Sequence, residues 1–507
     1  MVLATVEKYH VHDFTLRCVE AHDNAFRVRA SATLTHESGA TFRDIPAFHD
    51  GDGAWKVRFS PTLEGRWTGS VSSEDTALDG TELDAIDCVA NTNANVHGRL
   101  GTDPSYPRRF AFEDGAPFVP LGFECDWLFA IHQSRPAAFE ELVDLIAARG
   151  FNYIVMNVYA HAGFSDPSHE WVFSPPELYP FGGTNDEPDH SVLNVEFFRK
   201  FDEVMAALHA RGLVSHLMIS VQNKKVNWPE HYAADDDQYW RYVVARYQAY
   251  GNLVWDVGKE SYNFKRRWDD AGYALNRMGL IRDVDAYDHL VTVHDAVGGS
   301  AAHSSPIDDA TDFVSDQIHL SDCRRYYREA ARRFRTMDKP YVNIEYGYEL
   351  GAEDIKTYSS RTTRPWQDIL LWTYAIYAGG GYPGYYYNNT SWDLVKYDPE
   401  PEGWRRYRYL ADFMADVDLN RMAPDNEYVD RGLCSAEHGR QYLVFLPEGG
   451  DVSIDLVGVS RSASLSARWL HIYTGETADA TVGGRGFSTR LANPFGDAPT
   501  AAYVKAS

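Results

Sequence analysis

The sequence predicts an α/β fold, a (β/α)₈ TIM barrel flanked by an N-terminal β-sandwich and a small C-terminal β-sandwich, and three observations predict it. Residues 1–95 read as short alternating strands broken by Gly, Asp and Ser turns, residues 96–424 alternate apolar runs of strand length with helical segments, and strands return in residues 425–507. The length of 507 residues leaves room for a barrel of ~250 residues beside smaller modules.

In the first region, Ala25–Ala30 and Ala54–Phe59 alternate with period two, which turns one face toward a core. The run Trp55-Lys56-Val57-Arg58-Phe59-Ser60-Pro61, followed by Gly65-Arg66-Trp67, resembles an immunoglobulin-like module; a generic sandwich with two core tryptophans fits it equally. Asn91–Asn95 reads as the linker. The eight barrel strands are expected at Phe118–Phe123, Tyr153–Val158, Val214–Ile219, Leu253–Val257, Leu290–Val293, Phe313–Ile318, Tyr341–Ile344 and Gly381–Tyr386. Between them helices are expected at Pro136–Arg149, Asn194–Arg211, Gln238–Tyr250, Cys323–Thr336 and Pro365–Ala378. The first takes Ser134 as its cap, ends before Gly150, and spaces Phe139, Leu142, Leu145 and Ile146 as one face requires. The stretch His161–Ser191, rich in Pro, Gly, Asp and aromatics, follows the second strand on the face where barrels carry chemistry, so it is expected to wall a cleft. In the last region Gln441–Leu446, Val452–Leu456, Ala467–Tyr473 and Ala501–Val504 read as strands.

Composition narrows the partners. A net charge of -25 without a compensating Lys/Arg run repels phosphate backbones, so no nucleic acid is expected. No apolar run reaches membrane-spanning length, so no membrane is expected, and Met1–Lys8 lacks a basic segment with a long apolar core behind it, which points to a cytoplasmic protein. The five cysteines, Cys18, Cys88, Cys125, Cys323 and Cys434, are scattered without a CxxC pair and read as free thiols; neither a metal site nor a cofactor is expected. Aromatic residues make up 14% of the chain, and their faces stack on sugar C–H surfaces as readily as they fill cores. A carbohydrate is the partner this inventory suits, and a homo-oligomer stays open.

Catalytic side chains of parallel barrels stand at the carboxyl ends of strands. Two apolar runs end there on glutamate, Asn252–Glu260 and Pro340–Gly347, which makes Glu260 and Glu345 the expected catalytic pair. Glycosidic cleavage needs one carboxylic acid to protonate the leaving oxygen and one carboxylate to attack the anomeric carbon or activate water. The other strand ends nominate substrate contacts: Asp126 and Trp127 after the first, Asn157 and His161 after the second, Gln222 and Asn223 after the third, and His294 with Asp295 after the fifth. Gln317 and His319 follow the sixth, Tyr346 the seventh and Trp392 the eighth. Asp256 competes as acid/base, but alternation along its strand makes it structural; Trp171 is a stacking platform or core; Glu349 reads as a solvated loop residue.

Trp255-Asp256-Val257-Gly258-Lys259-Glu260 resembles the fourth-strand motif of the clan of retaining (β/α)₈ glycosidases, where the acid/base glutamate closes a Trp-x-x-x-Asn-Glu pattern. Pro340–Gly347 is similar to the seventh-strand partner, a nucleophilic glutamate followed by an aromatic residue and Gly. With its two flanking sandwiches the chain most resembles the apiosidase-like glycoside hydrolase family. The resemblance implies Glu260 as acid/base, Glu345 as nucleophile, and retaining hydrolysis of a neutral oligosaccharide or glycoside, a furanoside such as an apioside or arabinoside among them. Lys259 departs from the clan's Asn. Two further readings are a metal-dependent barrel hydrolase, which the dispersed histidines disfavour, and a non-catalytic carbohydrate-binding protein.

Overall fold

A computed structural model describes residues 4–18, 22–161, 163, 165–261, 270–297, 305–351 and 363–506. The amino-terminal strands form a seven-stranded sheet. Thr41–His49 pairs through its first half with Ala30–His36 and through its second with Ala54–Phe59, so the sheet turns back on itself. It encloses Phe14, Leu34, Ile45, Val57, Trp67 and Ile86. Arg58, on the last of these strands, donates to Asp13, to Asp202 and to the Arg246 carbonyl, which fastens the module to barrel helices through a buried ionic network.

A three-stranded meander, Leu100–Asp103, Tyr106–Phe112 and Pro117–Phe118, closes the amino-terminal end of the barrel. Leu100 N donates to Gly251 O, Phe110 packs on Phe313 and Tyr382, and the Arg109 guanidinium donates to Gly380 O and Met422 O. The expected strand Phe118–Phe123 is therefore divided. Pro120 offers no N–H to a ladder, and the Asn152 amide instead takes Leu121 N and Val119 O, so the barrel begins only at Gly122.

The barrel strands are β1 (Gly122–Glu124), β2 (Tyr153–Asn157), β3 (Val214–Val221), β4 (Leu253–Lys259), β5 (Val291–Thr292 and His294–Val297), β6 (Val314–Gln317), β7 (Tyr341–Asn343) and β8 (Tyr382–Tyr387). All neighbours are parallel, and β8 returns to β1 with Gly122 opposite Gly384. β5 is broken at Val293, its first part pairing with β4 and its second with β6. At the break the Asp256 carboxylate accepts from His294 N at 3.1 Å, in place of a ladder partner.

Helices Pro136–Ala148, Val195–Ala210, Ala234–Tyr247, Cys323–Thr336 and Trp366–Ala378 occupy the expected connections. Asn194 caps the second, accepting from Glu196 N and Phe197 N. Ser134 does not cap the first: it ends a separate helix, Leu128–Ser134, and Pro136 opens the next turn, where a missing N–H costs nothing. Asp270–Val284 and Trp404–Met414 are further helices that sequence periodicity did not mark.

The carboxyl-terminal region forms a six-stranded sheet and a two-stranded one over their own core. Along Gln441–Leu446 the period-two alternation divides two cores: Tyr442, Val444 and Leu446 face this module's interior, while Leu443 and Phe445 pack against the barrel. No helix among the described residues is long and apolar enough to cross a membrane.

Candidate active site

Glu345 lies two residues beyond β7 and is 2% exposed. Its Oε1 accepts from Gln317 Nε2 on β6 at 2.6 Å and from Tyr348 OH at 2.7 Å, and His319 Nε2 lies 3.5 Å away. Oε2 is buried and has no hydrogen-bond partner among the described residues. Burial opposes ionisation here, but His319, Lys259 and His294 outweigh it and hold the carboxyl down to about 2. Glu345 is thus an anion at neutral pH with one oxygen fixed and the other open to a ligand.

Lys259 ends β4, and its Nζ lies 2.6 Å from Asp126 Oδ2, with both side chains buried. The ammonium also faces the Tyr386 ring at 5.4 Å. Burial works against its charge, but Asp126, Glu124, Glu345 and Glu260 outweigh that and raise the lysine above its usual range. Glu124, at the end of β1, accepts from Asp126 N at 3.1 Å and from Ser391 Oγ at 2.8 Å. Burial first and the Asp126 charge second push its carboxyl well above the usual range, so Glu124 keeps its proton.

Glu260 follows Lys259 with φ of 53°, in the left-handed region that costs a side-chain-bearing residue energy and that clusters at functional sites. It is partly exposed, and Asn223 Nδ2, from the loop after β3, donates to its Oε2 at 2.5 Å. Asp256, the competing carboxylate, is fully buried; it lies 2.5 Å from His216 Nε2, and His216 Nδ1 meets Tyr153 OH at 2.6 Å. A second Asp256 oxygen takes Gly258 N at 2.8 Å, so the group is consumed in tying β2, β3 and β4 together.

The remaining expected contacts fall into distinct places. Asn157 and His294 are buried at strand ends, and neither the amide atoms of the first nor the ring nitrogens of the second have a partner among the described residues. The same holds for Trp127 Nε1, Gln222 Oε1, Gln317 Oε1 and His161 Nδ1, and burial also pushes the His161 imidazole below its usual range. Buried polar atoms are normally satisfied, so this concentration near the barrel mouth suits a ligand with many hydroxyls. Trp392 is partly exposed and stacks on the Tyr348 ring at 5.4 Å. The long loop after β2 meets this residue's neighbours: Phe173 N donates to Asp393 O at 2.8 Å and Val395 N to Trp171 O at 3.0 Å. The Trp171 ring itself packs under Arg135 and against Tyr397 at the rim. The Asp295 side chain lies outside the described residues.

Two expectations need correction. Tyr346 does not join the cluster: its hydroxyl meets Thr373 Oγ1 at 2.5 Å in the packing against helix Trp366–Ala378, and Tyr348 is the tyrosine that reaches Glu345. Glu349 is not solvated but 3% exposed, accepting from Tyr385 OH at 2.7 Å and Gly403 N at 3.2 Å, and burial pushes its carboxyl up to about 7. Sequence reasoning also missed Glu124, although Gly122-Phe123-Glu124 carries the same signal as the other two strands, an apolar run ending on glutamate. Among the described residues, the side chains brought together with metal-ligand spacing are Cys18, His22 and Asp75, in the amino-terminal module.

Residues 105–410 match the model of the apiosidase-like catalytic domain, and residues 5–74 match a domain of unknown function, DUF5060. No curated protein matches the chain. Among solved structures, the chain is similar to a candidate glycoside hydrolase from Bacteroides vulgatus ATCC 8482, with a TM-score of 0.77 and 18% identity over 99% of this chain and 100% of that one. A glycoside hydrolase of family 5 from the same organism gives a TM-score of 0.62 and 17% identity over 81% of this chain and 94% of that one. A third structure, described as a glycoside hydrolase, gives 0.62 and 16% over 81% and 97%. At these identities the likeness shows a shared fold.

Proposed function

The chain belongs to the apiosidase-like family of glycoside hydrolases, and from that premise we propose that it cleaves glycosidic bonds by a retaining double displacement with Glu345 as nucleophile and Glu260 as acid/base. The observation that carries this reading is the state of Glu345: ionised, anchored through Oε1 by Gln317 and Tyr348, and open at Oε2. Such a carboxylate is prepared to attack an electrophilic carbon.

In the first step Glu345 Oε2 forms a bond to the anomeric carbon as the bond to the leaving oxygen breaks, and Glu260 gives that oxygen its proton. In the second, water attacks the same carbon, Glu260 takes the water's proton, and the Glu345 carboxylate is released. Asn223 holds the Glu260 carboxyl in place through both steps. The unpartnered polar atoms of Trp127, Asn157, Gln222 and His294 receive sugar hydroxyls, and Trp392 offers a stacking face.

The substrate proposed is a neutral oligosaccharide or glycoside, with furanosides such as apiosides or arabinosides as the first class to try. A screen of aryl pyranosides and furanosides, followed by NMR of the anomer released first, tests the reading. Retention is expected, together with loss of turnover in Glu345→Gln; an inverted first product removes Glu345 from the nucleophile's role. Activity that vanishes in chelator and returns with added metal supports a metal-dependent hydrolase instead.

A further inference from the structure

We propose that Lys259 is a positioning residue for the nucleophile: its buried ammonium, clamped by Asp126 and packed through Tyr386 and Tyr348 toward Glu345, adds a positive charge to that of His319 inside a site crowded with carboxyl groups. The inference rests on the reading of Glu345 as nucleophile and adds a role that the sequence motif does not contain.

A lysine at 2% exposure needs a reason to be charged, and the geometry supplies one. Nζ lies 2.6 Å from Asp126 Oδ2, which fixes the end of a flexible four-carbon chain at one point. Its other neighbour is the Tyr386 ring at 5.4 Å; that ring lies 5.0 Å from the Tyr348 ring, whose hydroxyl donates to Glu345. A packed path of three contacts therefore leads from the ammonium to the nucleophile.

The charges of the cluster explain why the ammonium is required. Glu124, Asp126, Glu260 and Glu345 all act on Lys259. Glu124, Asp126 and Glu345 are buried, and three carboxylates could not stay ionised together there without a counter-charge. Glu124 resolves part of the conflict by holding its proton, and Asp126 pairs with Lys259 at 2.6 Å. Glu345 then remains an anion beside His319 from the loop after β6, and under the field of Lys259 from β4 and His294 from β5. Tyr348 and Tyr386 face the same space as neutral phenols, their ionisation opposed by burial. Lys224, from the loop after β3, faces Lys259, and its ammonium is pushed down to about 8 by burial and by that like charge. An amide at position 259 would bring a dipole to this place but no charge.

The test is kcat/KM against pH for the full-length enzyme, on the aryl glycoside that the parent cleaves best, in the parent, Lys259→Met, Lys259→Arg and Glu345→Gln enzymes. The parent is expected to show no acid limb from the nucleophile before it unfolds. Lys259→Met is expected to gain a limb displaced upward by about one to three pH units, the span one nearby opposite charge controls. Lys259→Arg, which keeps the charge, is expected to hold the parent profile. A Lys259→Met profile that gains no acid limb, with Glu345→Gln inactive, overturns this inference and leaves the nucleophile in place. Full activity in Glu345→Gln overturns the nucleophile and this inference with it. If Lys259→Met is folded by circular dichroism yet inactive at every pH, Lys259→Arg decides: at least a tenfold recovery supports the role, and equal inactivity overturns it.

Discussion

Tyr348 OH donates a 2.7 Å hydrogen bond to Glu345 Oε1, and it does so because Tyr348 stands opposite Tyr386 in a short strand that runs alongside the end of β8. The bond holds Oε1 of the proposed nucleophile, while Oε2 has no hydrogen-bond partner among the described residues. Hydrogen bonds to charged groups contribute about 1.5–3 kcal/mol. Tyr348→Phe is therefore expected to lower kcat by roughly 10- to 100-fold, with melting little changed. Steady-state kinetics on an aryl glycoside measures it; an unchanged kcat removes Tyr348 from the machinery.

Glu349, four residues beyond Glu345, gives a pH signature of stability. Its carboxyl rises from 4.5 to about 7 on folding, so its contribution is complete below pH 4.5 and is lost as pH climbs through 7. Glu349→Gln does not titrate. The stability of the parent relative to this variant should fall by about 3 kcal/mol between pH 4 and pH 8. Glu345 has the opposite sign, its contribution being lost as pH falls from 4.5 toward about 2. Urea unfolding at a series of pH values checks both, and a pH-independent difference for Glu349→Gln refutes the first.

Asp256 is expected to serve the barrel and not the reaction. Its carboxylate meets His216 Nε2, Gly258 N and His294 N inside the layer that spans β2 to β5. Breaking a buried pair of this kind costs about 3–5 kcal/mol. Asp256→Ala should melt well below the parent, while the fraction that remains folded keeps its kcat; active-site titration separates the two quantities.

Trp392, partly exposed with φ of 58° and stacked on Tyr348, is the proposed stacking face for a sugar. Trp392→Ala should raise KM by about 3- to 10-fold with a smaller change in kcat, in keeping with aromatic contacts of 0.5–1.5 kcal/mol. An effect confined to thermal stability assigns the ring to rim packing.

Much of the fold was legible because buried parallel strands leave continuous apolar runs and because the helices between them repeat at three and four residues. The candidate site was nominated where a carboxylate closes such a run, at Glu260 and Glu345. Tyr346 was named because adjacency to Glu345 in sequence stood in for direction; the chain beyond β7 pairs again with β8, and this second pairing turns Tyr348 toward Glu345. Glu349 misled for the same reason, since the helix start at Gly403 that buries it lies 54 residues away.

The sequence by itself determined the alternation of β and α units, the β modules at both ends, and two strand-end glutamates, since periodicity and strand position are local properties of the chain. Only the tertiary structure decided that Lys259 meets Asp126, that Glu124 keeps its proton, and that Asp256 is used up by His216. Ionisation in a buried site depends on charges and burial supplied by residues more than a hundred positions apart, such as Asp126 and Lys259, and no local pattern records which of them will face one another.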